Sequence, residues 1–223
     1  PSGSKPPTTT ILSGPENGGK YKQTAFTFTW TGQDDTTPTS ELTYRITPDT
    51  QDPNKTIVTS QTSWKFTDLV SGRHQFSVAA IDKEGNIDPN PPKRTFYVDT
   101  IPPTATIISG PGAGAIIAYN TLSFTWTGND NLTPTSKLLY YTQLDGGGWS
   151  NPLPDTSIQL DGLSDGRHDF AVAARDEVGN VSPSAWRTFY VDTAPPETEL
   201  TKFPPAISNI ATEVKFEWSG RDN

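Results

Sequence analysis

The sequence predicts an all-β protein made of tandem antiparallel sandwiches, and three observations carry that prediction. First, the chain repeats itself. TAFTFTWTGQDDTTPTS, ending at Ser40, returns as NTLSFTWTGNDNLTPTS, ending at Ser136, and KRTFYVDTIPPTATI returns as WRTFYVDTAPPETEL. The copies are offset by roughly 95 residues, and repetition at a fixed period sets the unit of folding. Second, apolar residues alternate with polar ones at period two, the mark of a half-buried strand. Third, 21 prolines and 18 glycines punctuate the 223 residues, and no window of a dozen residues shows helical periodicity.

In the first copy the strands are expected near 8–13, 24–31, 42–47, 55–59, 63–67, 73–81 and 93–98. The second of these rests on Phe26, Phe28 and Trp30 alternating with Thr27, Thr29 and Thr31. The sixth rests on Phe76, Val78 and Ala80, and returns as Phe170, Val172 and Ala174. The last rests on Phe96 and Val98 around Tyr97. Seven short strands with a turn every 8–12 residues is the pattern of an immunoglobulin-like sandwich, with strands A, B, C, C′, E, F and G. The expected division is 1–5 as linker or added residues, 6–101 as repeat 1, 102–194 as repeat 2, and 195–223 as the A and B strands of a third. Trp30, Trp126 and Trp218 recur in strand B and are expected in cores. The partial third repeat cannot bury Val214, Phe216 and Trp218 alone, so its hairpin is expected to pack on repeat 2 or on another copy. The linkers, Asp99 to Thr104 and Asp192 to Glu197, each hold two prolines, which fix φ and remove donors. They should be short and stiff, making the repeats a semi-rigid rod.

One family is recognisable at these residues. Leu69-x-x-Gly72-x-His74-x-Phe76-x-Val78-x-Ala80 and Leu163-x-x-Gly166-x-His168-x-Phe170-x-Val172-x-Ala174 resemble the E–F corner and F strand of fibronectin type III modules. The Asp-x-x-Gly-Asn and Val-Asp-Thr-x-Pro-Pro steps that follow look like the variant found in repeat arrays of bacterial secreted and surface proteins. The resemblance covers nearly the whole chain. Histidine stands where such modules carry a corner tyrosine, so that hydrogen bond must be remade or lost.

Composition excludes several functions. The net charge of −8 and a pI near 4.7 disfavour nucleic acid and anionic membrane surfaces. No apolar stretch is long enough to span a bilayer. With no cysteine there is no disulfide and no thiol chemistry. The chain has no methionine, the initiator included, and is expected to be a piece of a longer one. An enzyme is not expected. His74 and His168 sit at equivalent places in separate repeats, where each ring is expected to bond the backbone of its E–F turn. No serine–histidine–aspartate set converges, and the adjacent Asp34 and Asp35 point apart. Gly146-Gly147-Gly148 has no following Lys-Ser/Thr and reads as part of a hairpin turn begun at Asp145.

Two binding expectations remain. In this sandwich the B–C and F–G loops share the pole where strand A begins, so Asp99 should lie near Asp130 and Asn131 and near Asp176 of repeat 2. Asp192 should likewise approach Asp222. Calcium takes six to eight oxygen ligands, and a calcium clamp at each junction would stiffen the rod. The competing reading is turn chemistry, in which each aspartate accepts N–H groups of its own loop. Trp149, in DGGGWSNP, is the candidate for stacking on a sugar ring, against packing on its own sheet. Three sequons begin at Asn54, Asn131 and Asn180. The expected function is non-catalytic: a spacer or stalk segment of a large secreted or surface-anchored bacterial protein, such as an adhesin, whose partners are neighbouring repeats. The alternative is a carbohydrate-binding accessory module of a secreted polysaccharide hydrolase, with cell-wall or extracellular polysaccharide as partner.

Overall fold

Period-two alternation becomes sheet wherever one face finds a partner. The structure, a computed structural model, describes residues 5–48, 55–202 and 215–222. In the first repeat the strands are β1 (Thr8–Ser13), β2 (Lys20–Tyr21), β3 (Phe26–Gln33), β4 (Thr43–Thr47), β5 (Ile57–Thr59), β6 (Ser63–Phe66), β7 (Gly72–Ile81) and β8 (Lys93–Val98). They form two sheets, β1-β3-β6 and β2-β8-β7-β4-β5. In strand letters that is A-B-E facing A′-G-F-C-C′, so the all-β sandwich expectation holds. Along β3, Phe26, Phe28, Trp30 and Gly32 are buried while the residues between them are half-buried or exposed. This strand runs on to Gln33, past its expected end, because Gly32 and Gln33 pair with Thr9 and Thr8.

The core fills the space between the two faces. Phe28 stacks on Phe76 at 4.2 Å between ring centroids, and Trp30 meets Tyr44 edge-on at 5.9 Å. Offset stacks and edge-to-face pairs are the arrangements that aromatic quadrupoles favour.

The second repeat reproduces the design with β9 (Thr104–Ser109), β10 (Ile116–Ile117), β11 (Leu122–Asn129), β12 (Leu139–Leu144), β13 (Ser157–Leu160), β14 (Gly166–Arg175) and β15 (Ala185–Val191). Its sheets are β13-β11-β9 and β10-β15-β14-β12. Phe124 stacks on Phe170 at the same 4.2 Å. Gly110 has φ of +127°, and a Cβ there would lie 2.3 Å from the Phe124 ring, so the chain turns at that ring only as glycine.

Two features escape period-two reading. β2 and β10 are two residues long, too short to show alternation, and they pair in parallel with β8 and β15. The second repeat also has no counterpart of β5 among the described residues. Tyr140 and Leu153 exchange a pair of backbone bonds of 2.7 and 3.0 Å instead.

The third stretch corrects the sequence reading. Among the described residues β16 (Glu197–Lys202) and β17 (Glu217–Arg221) pair only with each other, and every residue of both is exposed. Trp218 is 70% exposed, against 1% for Trp30 and 4% for Trp126. The expected core position and the expected packing of this hairpin on repeat 2 are both overturned. Trp30 is faced by Tyr44 and Phe76, and among the described residues no aromatic ring meets Trp218 in this way. Val214 lies outside the described residues.

By backbone proximity the chain divides into two compact parts. One comprises Pro1–Thr104, Asn129–Leu138 and Arg175–Ser182; the other comprises Ala105–Gly128, Leu139–Ala174 and Pro183–Asn223. Among the described residues no helix is long and apolar enough to cross a membrane.

Candidate metal centre

Three segments of the first compact part build an acidic cluster. The first is the step out of β8. The N–H of Asp99 donates to the Tyr21 carbonyl at 2.8 Å, continuing the β2–β8 ladder by one bond. The residue is 1% exposed. One of its oxygens, Oδ1, accepts a long bond from the Ile101 N–H at 3.3 Å, while Oδ2 is buried with no hydrogen-bond partner.

The second segment is the turn after β11. Asp130 Oδ2 accepts the N–H groups of Leu132 and Thr133 at 2.9 and 2.7 Å, a turn that aspartate forms readily. Its other oxygen, Oδ1, is buried and unpartnered. The third segment is the hairpin after β14, where Gly179 at φ of +91° lets the loop close. Here Asp176 Oδ1 accepts the N–H groups of Val178 and Asn180 at 3.0 and 2.7 Å. Asp176 Oδ2 accepts the Asn180 side-chain amide at 2.7 Å. A carboxylate oxygen has two lone pairs, so Oδ2 keeps one.

Carboxylate oxygens of Asp99, Asp130 and Asp176 all lie within 4.8 Å of one another. Burial holds the Asp99 carboxyl above the ordinary carboxylate range, and the charges of Asp130 and Asp176 push the same way, against the Ile101 N–H and Lys20. Lys20 is committed elsewhere: its ammonium bonds the Glu177 carboxylate and donates to the Leu132 carbonyl at 3.3 Å. Lys20, helped by Lys137 at 3.3 Å, keeps Glu177 below the usual carboxylate range.

Turn chemistry therefore occupies some of these carboxylate oxygens and leaves Asp99 Oδ2 and Asp130 Oδ1 unpartnered. The sequence points to Asp99, Asp130 and Asp176, and the structure brings those three together. Asn131 is exposed. Asp192 repeats the local bonds of Asp99, with its N–H on Ile117 O at 2.9 Å and its Oδ1 accepting from Ala194 N–H at 3.3 Å. Asp222 is exposed, and among the described residues neither it nor Asp192 joins a group of three acidic side chains. In the first repeat Asp34 and Asp82 make the same turns, again with no third carboxylate among the described residues.

Asn180, which the sequence places in the F–G loop near Asp99 and in a sequon, joins this group. It is 4% exposed, and its amide donates to the Asp99 carbonyl at 3.0 Å as well as to Asp176. That engagement leaves it no room to accept a glycan in the folded chain. The Asp-x-x-Gly-Asn step was the available signal.

The other candidates resolve simply. His74 and His168 each donate Nε2–H to a carbonyl four residues upstream, Val70 at 2.7 Å and Ser164 at 2.8 Å, so the corner bond is remade. Asp145 and Gly146, with φ of 52° and 68°, turn the chain after β12. Trp149 follows that turn and is 44% exposed.

No protein-family model matches the sequence, and no curated protein matches it. Among solved structures the chain is similar to the fibronectin(III)-like modules of CbhA from Clostridium thermocellum. That match has 18% identity and a TM-score of 0.41, and covers 82% of this chain and 94% of that one. It is also similar to three N-terminal domains of the Highly Immunogenic Outer Capsid protein (Hoc) of bacteriophage RB49. There the identity is 14% and the TM-score 0.43, with 96% of this chain and 69% of that one covered. The sandwich assignment stands on the strand order described above.

Proposed function

We propose that the chain is a non-catalytic spacer, a stalk segment of a larger secreted or surface-anchored bacterial protein of the adhesin kind. The observation that supports this reading is the way Asp99 is held. A residue that opens a linker is 1% exposed, bonded through its N–H to Tyr21 and through its carbonyl to Asn180. Pro102 and Pro103 follow at once and restrict the backbone further. The Lys20–Glu177 pair and the Lys20–Leu132 bond secure the same region. A flexible tether has none of these attachments. In a spacer, such a segment transmits position instead of losing it in a swivel, and a bound calcium ion is the means by which it is stiffened.

Amide hydrogen exchange tests the reading. The N–H groups of Asp99 and Asn180 are expected to exchange as slowly as that of Val78 in strand F, through global unfolding alone. Exchange through a local opening of near-zero free energy would make this segment a hinge and sink the spacer.

A further inference from the structure

We infer that Asp99, Asp130 and Asp176 bind one calcium ion per chain. The inference deepens the spacer reading and rests on it only for the purpose of the ion, not for its binding. Two independent observations meet here. One is the grouping, with carboxylate oxygens of three residues from three chain segments within 4.8 Å of one another. The other is the orphaned oxygen: Asp99 is 1% exposed, yet its Oδ2 has no hydrogen-bond partner, and neither has Asp130 Oδ1.

A buried carboxylate is costly unless something compensates it. The turn N–H groups occupy Asp130 Oδ2 and Asp176 Oδ1, and the Lys20 ammonium is spent on Glu177. Beside the long Ile101 bond on Asp99 Oδ1 and the Asn180 amide on Asp176 Oδ2, what is left over is a set of acceptor lone pairs on three carboxylates, with Asp99 Oδ2 and Asp130 Oδ1 unpartnered. A cation satisfies several such lone pairs at one point.

The chemistry of the set selects the ion. No sulfur or imidazole takes part, so soft and borderline metals have no preferred ligand here. Calcium binds oxygens at 2.3–2.6 Å, so two oxygens on one ion lie at most about 5 Å apart, the spread of this cluster. Magnesium keeps most of its waters and takes one or two carboxylates, whereas calcium accepts three together with carbonyls and water. The ion would tie the step out of β8 to the turns after β11 and β14, all three within one compact part of the chain.

The test is thermal unfolding of the whole chain in EDTA, in calcium and in magnesium, beside calcium titration calorimetry. Saturating calcium is expected to raise the Tm by about 5–10 °C at a hundredfold excess over its Kd, with magnesium giving much less. Asp99→Asn, nearly the same in shape, should abolish the calcium shift and the calorimetric signal. In EDTA it should unfold at or above the temperature of the unaltered chain, because it relieves the repulsion. Three results would overturn the inference: no calcium shift, an equal shift with magnesium, or a calcium shift that survives Asp99→Asn. A failed hydrogen-exchange test with a positive calcium shift would dismiss the spacer and keep the ion.

Discussion

The side-chain amide of Asn180 donates at 3.0 Å to the main-chain carbonyl of Asp99, 81 residues earlier in the chain. The same amide reaches Asp176 at 2.7 Å, so one buried group joins the linker to a loop. Asn180→Ala leaves a buried carbonyl and a carboxylate oxygen each short of a donor. The expected loss is about 2–3 kcal/mol, read from urea unfolding followed at Trp30 and Trp126. Asn180→Asp keeps the shape but replaces the donor by an acceptor, and should cost more than alanine.

His168 should make the second repeat sensitive to pH. Its ring is buried, with Nε2 on the Ser164 carbonyl and Nδ1 facing Asp145 Oδ2, both at 2.8 Å. Burial favours the neutral ring, but the Ser164 bond and the Asp145 and Asp169 charges outweigh it, and the pKa rises above its ordinary 6.5. Once neutral, the ring presents a lone pair to the carboxylate instead of an N–H. With the folded value above the unfolded one, the stabilisation is complete below about 6.5 and is lost as pH rises through the raised value. An NMR titration of the ring proton should give a midpoint above 6.5, and Asp145→Asn should lower it. A midpoint unmoved by Asp145→Asn would show that the carboxylate does not hold the proton.

The three strand-B tryptophans should respond unequally to one substitution. Trp30→Ala and Trp126→Ala remove rings that are 1% and 4% exposed and should each cost about 3–5 kcal/mol. Trp218→Ala, at 70% exposure, should change stability by less than about 0.5 kcal/mol. Denaturant titration of the three variants decides it. A large cost at Trp218 would mean that this hairpin packs against something in solution.

That contrast marks what a sequence can and cannot disclose. Phe28 and Trp30 announced a strand and its buried face, because alternation is written in consecutive residues. Trp218 carried the same local signal and lies exposed, because burial belongs to the facing sheet and not to the strand. Asp99, Asp130 and Asp176 could be brought together on paper, since sandwich topology dictates which loops share a pole. Their unpartnered oxygens could not, because hydrogen bonding at one atom depends on ångström-level placement of Ile101, Leu132 and Asn180. The parallel strands β2 and β10 were hidden for another reason: two residues hold less than one full alternation.

Those two short strands decide how each repeat would answer tension. β2 lies beside β8 and runs the same way, joined by Gly18 N–H to Thr95 O, Tyr97 N–H to Gly19 O and Asp99 N–H to Tyr21 O at 2.6–2.8 Å. The second repeat has the same three bonds at Gly114, Tyr190 and Asp192, at 2.8–2.9 Å. A pull on the two ends of a repeat drags such parallel neighbours past each other. The three bonds then share the load and must fail together, where an antiparallel pair pulled from its open end would surrender them one at a time. Those six residues near the entry and exit of each repeat thus form a shear-loaded contact that a pull must break before β2 or β10 can part from its neighbour.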